Sequence, residues 1–113
     1  MKADIVIGAL AALAQEHRLA VFRQLVQAGE AGMAAGAIAQ ALGIANSSLS
    51  FHLAQLRAAG LILQERRHRS LIYRANYPAM NALLAYLTEN CCAGASCVAD
   101  AACDASVPER KSA

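Results

Sequence analysis

At 113 residues the chain has room for one domain with one modest core, shared across an oligomer interface where that core falls short. Apolar residues reach 58% but aromatics only 4%, and much of the remainder is alanine, which buries little area and favours helix. A net charge of +2 does not by itself mark a nucleic-acid binder, and the absence of any run near ~20 apolar residues excludes a single spanning helix.

The opening MKADIVIGALAALAQEH carries a lysine, an apolar run and an Ala12-Leu13-Ala14 triplet, the outline of a secretory signal. The run is short for that purpose, Asp4 sits in the charged region, and the apolar pattern continues past the cut. A cytoplasmic protein with no membrane association is therefore expected. Residues 4–14 read instead as an alanine-rich helix with Ile5, Leu10 and Leu13 as its larger members. A second helix from Glu16 to Ala28 carries Leu19, Phe22, Leu25 and Val26 at helical spacing and stops at Gly29. After the loop EAGMAAG comes a short helix, 35–42, with Ile38 and Leu42 facing inward and Gly43 ending it.

The next helix, 46–59, takes its start from Asn46 or Ser47, whose side-chain oxygens can accept from first-turn N–H groups. Leu49, Leu53 and Leu56 share one face; Ser48, Phe51, His52 and Gln55 lie elsewhere around it. LILQER and SLIYRAN are of strand type, joined into a hairpin whose tip carries Arg67, His68 and Arg69. Pro78 opens a last helix with Met80, Leu83, Leu84 and Leu87 as its stripe. The predicted fold is mainly α with a small β-hairpin. Residues 1–90 form the folded domain, and 91–113 a cysteine-bearing tail whose end is expected to be disordered.

Helices 35–42 and 46–59, joined by the tight turn Gly43-Ile44-Ala45 and followed by a basic hairpin, stand in the order of a winged helix-turn-helix. In that arrangement the second helix enters the major groove and the wing lies along phosphate or in a minor groove. Asn46, Ser47, Ser48 and Ser50 are small polar groups able to approach base edges or phosphates, and Gln55 and His52 extend the candidate surface. Arg66, Arg67, Arg69 and Arg74 bring four of the ten basic residues into nine positions, and the first three suit phosphate contacts that weaken with salt. His17 and His68 have no thiol or carboxylate at ligand spacing and read as surface residues.

The stretch Leu13-Ala14, Arg18-Leu19, then Leu49-Ser50-Phe51-His52-Leu53, Leu56 and Ala59-Gly60-Leu61-Ile62, with the arginine-bearing wing, resembles the ArsR/SmtB repressors over roughly residues 10–90. The resemblance implies a homodimer through the first and last helices that binds double-stranded operator DNA and leaves it when a metal or metalloid binds. It also implies that Asn46, Ser47, Ser48, Ser50 and His52 face DNA. Phe51 departs from the pattern, since many members carry a second histidine there.

All four cysteines follow the last helix, as Cys91, Cys92, Cys97 and Cys103. In a reducing compartment such thiols point to metal or redox chemistry. The helix-turn-helix has no cysteine, and the last helix supplies only Glu89, so two sensor positions used within the resembled family are absent. Cys91, Cys92 and Cys97 make a Cys-Cys-x4-Cys group that suits As(III) or Sb(III), which take three soft thiolates in a pyramid. The same arrangement follows the last helix in some family repressors of arsenic resistance. Cys103 is an alternative third ligand, a fourth ligand or a bystander. Four thiolates would suit tetrahedral Zn(II) or Cd(II) instead, although paired Cys-x2-Cys knuckles are missing. Thiol oxidation is a third reading. No catalytic constellation or phosphate loop appears, so an enzyme is not expected.

Overall fold

The computed structural model describes residues 1–94, so Cys97, Cys103 and the rest of the expected tail lie outside the described residues. The chain opens with α1 (Ala3–Leu13) and α2 (Glu16–Ala28), whose axes meet at 101°. Polar groups make the corner. The Gln15 side chain accepts from the Arg18 amide at 2.9 Å and caps α2, while Arg18 Nε donates to the Ala12 carbonyl at 2.7 Å and satisfies an end of α1. Among the described residues no single helix is long and apolar enough to cross a membrane.

α1 buries the small row Val6, Ala9 and Ala12, and α2 buries Val21, Phe22 and Leu25. Leu19, expected on the inner face, is exposed, and Val21 takes its place because it falls one turn before Leu25. The loop expected at residues 30–36 holds a 3-10 turn, Gly29–Ala31, and the short strand β1, Met33–Ala34. Gly32 joins them with φ +68, and a Cβ there would meet the Tyr73 carbonyl oxygen and lie 2.8 Å from Ile72 Cγ2.

α3 (Ala35–Leu42) ends at Gly43, in the left-handed conformation at φ 66, which turns the chain into α4 (Asn46–Ala58). The cap of α4 differs from expectation. Ala45 is the capping residue, it makes no side-chain cap bond, and Asn46 is already helical. Strands β2 (Ile62–Arg67) and β3 (Ser70–Ala75) pair antiparallel from Ile62↔Ala75 to Arg67↔Ser70. β1 adds to the other edge of β3, giving the order β1-β3-β2. The wing is thus rooted beside α3 in a three-stranded sheet, and only His68 and Arg69 form its tip.

α5 (Tyr77–Leu87) is capped by Asn76, whose side-chain oxygen accepts from the Ala79 amide at 3.3 Å while its NH₂ donates to the Gly60 carbonyl at 2.9 Å. The Tyr77 hydroxyl donates to the Val26 carbonyl at 2.8 Å. One core unites the helices and the sheet, centred on Leu25, Ile38, Leu49, Leu56 and Leu61. Its two turn glycines separate strain from space. Gly43→Ala adds a left-handed alanine in open room, whereas Gly32→Ala adds a collision as well. Thermal denaturation is expected to show a loss of about 1 kcal/mol for Gly43→Ala and more than about 2 kcal/mol for Gly32→Ala.

Candidate nucleic-acid interface

An α-helix advances 100° per residue, so the buried row Leu49, Leu53 and Leu56 dictates what α4 shows outward. Ser47, Ser48, Ser50, Phe51, Ala54 and Gln55 are exposed, as is Asn46 in the first turn. Among the described residues no side-chain hydrogen bond engages Asn46, Ser47, Ser48 or Ser50. Gln55 stands at one edge of this surface, lining a cleft of about 320 Å³ with Arg18 and Gly8, Ala11 and Ala12 of α1.

His52 corrects the expectation that it faces DNA. It lies three residues after Leu49, on the buried side, and is 9% exposed. Its ring sits 5.5 Å from that of His17 on α2, and its Nδ1 has no hydrogen-bond partner among the described residues. Burial lowers its pKa, and the charge of Arg18 and then that of His17 lower it further. His52 is therefore a neutral packing residue between α2 and α4 at ordinary pH. The sequence signal was available in the i, i+3 spacing from Leu49.

The wing arginines divide into two sets. Arg67 donates through Nε to Glu65 at 3.0 Å and through a terminal nitrogen to the Ala31 carbonyl at 2.9 Å. Arg74 donates to Glu30 at 3.1 Å and to Glu65 at 3.4 Å. The hydrogen bond from Arg67 is the main reason the Glu65 carboxyl titrates below its ordinary range; the charge of Arg67 and the bond from Arg74 add to it. Arg67, expected at the tip as a phosphate contact, is thus the last residue of β2 and braces the wing against the Gly29–Ala31 turn. Arg66 and Arg69 are exposed, and among the described residues no ion pair holds them. The bracing acids went unnoticed in sequence, although Glu65 and Arg67 stand two apart on one strand face.

Two of the candidate ligand positions, Cys91 and Cys92, lie among the described residues. Cys91 is half-buried and Cys92 exposed, in a turn (Cys91–Gly94) just past α5. Asn90, Cys92 and Ala93 all take positive φ, from 56 to 58, an uncommon conformation for residues with a side chain.

Residues 13–65 match the helix-turn-helix domain family. The nodulation protein NolR of Rhizobium meliloti is 34% identical over 87 residues, which are 77% of this chain and 69% of that protein. An ArsR-like transcriptional regulator from Rhodococcus sp. RHA1 superposes with a TM-score of 0.69 at 25% identity, covering 96% of both chains. The homodimeric winged helix-turn-helix DNA-binding domain of Mb0332 from Mycobacterium bovis gives 0.61 at 29% identity, over 77% of this chain and 81% of that one. The chain belongs to the ArsR-like family of helix-turn-helix transcriptional regulators. In this ArsR-like chain α3 and α4 are the helix-turn-helix pair and β2–β3 the wing.

The position of His52 has a measurable consequence for stability. Its folded pKa lies below the ordinary 6.5, so the unfolded chain takes up the proton first as pH falls. Stability is full above 6.5 and declines as the pH drops from there toward the folded value, by at most about 1.4 kcal/mol per pH unit for one proton. Urea unfolding at pH 7.5 and 5.0 is expected to show a larger acid loss for the native chain than for His52→Gln.

Proposed function

We propose that this regulator is a cytoplasmic, homodimeric repressor that holds double-stranded operator DNA through α4 and the wing. Its release is triggered when trivalent arsenic or antimony is taken up by the cysteines that follow α5. The observation that carries the inducer reading is the adjacent pair Cys91–Cys92 set just beyond α5, in a turn whose left-handed residues mark a constrained backbone. Two soft sulfur donors in sequence suit a thiophilic, pyramidal acceptor and suit hard cations poorly. Cys97 or Cys103 would supply the third thiolate. Three thiols displace three hydroxyls from arsenous acid; three As–S bonds replace three As–O bonds, three waters leave, and no electrons move.

The dimer reading rests on exposed apolar side chains. Ile5, Ile7 and Leu10 of α1 and Leu84 and Leu87 of α5 are large apolar side chains left exposed on the first and last helices. The homodimeric state of the Mycobacterium bovis domain supports it. Two copies would then present two α4 helices to half-sites about one helical turn apart, and gathering thiolates at the end of α5 would alter that spacing.

The grouping of all four cysteines within residues 91–103 also admits a second trigger, thiol oxidation. Two thiols would form a disulfide, passing two electrons and two protons to a peroxide.

Fluorescence anisotropy of the reduced protein on DNA from upstream of its own gene decides among these. Arsenite or antimonite is expected to lower affinity by roughly 5- to 150-fold, with zinc and cadmium inert, and Cys92→Ser to abolish the response. Release by zinc or cadmium alone would make the cysteines a tetrahedral site; release by peroxide alone would make them a redox sensor. The same assay separates the arginines. Arg69→Ala is expected to reduce the slope of log affinity against log salt by about 0.9, the loss of one phosphate contact. Arg67→Ala is expected to leave that slope nearer the native value, with little change in melting temperature because the ion pair it removes is exposed.

A further inference from the structure

The outward face of α4 carries one large apolar side chain, Phe51, which is 58% exposed. Its neighbours one turn away are Ser47, Ser48, Ala54 and Gln55, three of them too short to shield it, so the ring stands proud of the surface. It is the sixth residue of the helix, in the half that a helix-turn-helix directs at base edges. Its root is fixed. The ring meets the buried His52 edge-on, with centroids 5.8 Å apart and planes at 65°.

We propose that Phe51 is a sequence-reading residue that covers the C5-methyl group of a thymine in the major groove of each half-site. The inference rests on the reading of α4 as the DNA-facing helix and adds what one of its residues recognises. A phenyl ring can neither donate to nor accept from a base edge. Among the groups that base pairs show in the major groove, the thymine methyl is the apolar one. Opposite cytosine the same ring would cover an amino group and leave it without an acceptor, which disfavours that base. The surrounding serines and Asn46 retain the hydrogen-bonding roles, so Phe51 contributes preference for thymine where they contribute register.

The test uses a duplex enriched from random DNA by the full reduced protein, with single thymines replaced by deoxyuridine, which lacks only the methyl group. One position in each half-site is expected at which uracil weakens native binding about fourfold, the worth of one buried methyl, and about 15-fold when both are replaced. Phe51→Ala is expected to bind the thymine and uracil duplexes equally. Phe51→Leu, which keeps an apolar tip, is expected to retain part of the difference, and melting curves check that both variants fold. Tolerance of uracil at every position overturns the proposal, as does an equal uracil penalty in Phe51→Ala. Should no duplex be enriched at all, α4 is not a DNA-reading helix, and the assignment of Phe51 falls with that reading rather than on its own account.

Discussion

Everything outward-facing on α4 depends on how its leucines are buried. Leu49, Leu53 and Leu56 are at most 3% exposed and share one cluster with Val21 and Leu25 of α2 and Ile38 of α3. Each buried leucine contributes on the order of 1.5–3 kcal/mol, so rolling α4 by even one residue would forfeit much of the stability of a small domain. The helix therefore has one permitted rotation. At that rotation the serines and Phe51 must face solvent, and His52 must turn inward against His17. The outward surface of α4 is a consequence of core packing, which is why a residue's type alone does not place it there.

Charge in the wing follows a similar logic of commitment. Arg66, Arg67, Arg69 and Arg74 look alike along the chain, but Glu65 lies between Arg67 and Arg74 and neutralises the base of the hairpin. Glu30 binds Arg74 from the other side. Exposed ion pairs add little stability, so the value of this arrangement lies in geometry: it ties β2 and β3 to the Gly29–Ala31 turn and leaves positive charge near the tip. Gly32 makes that junction possible, since its missing Cβ allows the chain to pass close under Tyr73 before β1 joins the sheet. The wing is thus aimed by a glycine and two acids rather than by its arginines.

Most of this architecture was legible in the sequence. Helix lengths, the Gly43 turn, the hairpin and Pro78 near the start of α5 were set by local signals, namely apolar spacing and glycine and proline punctuation, and these hold in the structure. What escaped reading was tertiary. β1 is two residues long and exists only because β3 offers an open edge. Arg67 could not be told from Arg69 without knowing that the Ala31 carbonyl lies against it. The cap of α4 fell to Ala45 although Asn46 and Ser47 were better cappers, because Ile44 had to be buried and that fixed where the helix begins. His52 is the exception, a misplacement that the helical period itself could have prevented.

A last step of synthesis concerns why α5 suits signal transmission on the proposed reading. Its buried anchor in the core is Leu83, and its N-terminal end is pinned by Asn76 to the Gly60 carbonyl and by Tyr77 to the Val26 carbonyl. Leu84 and Leu87, toward the other end, stay open for a partner. A rod fixed at one end and loosely held along its length pivots at little free-energy expense, and its displacement grows with distance from the pin. Cys91 and Cys92 lie at the far end, where a local rearrangement has the longest lever. A helix anchored by several core residues would resist the same pull; one without the Asn76 and Tyr77 bonds would fray instead of turning. The division between a pinned start and a loosely packed end is what would let a small event at the cysteines reset the distance between two rigidly mounted α4 helices.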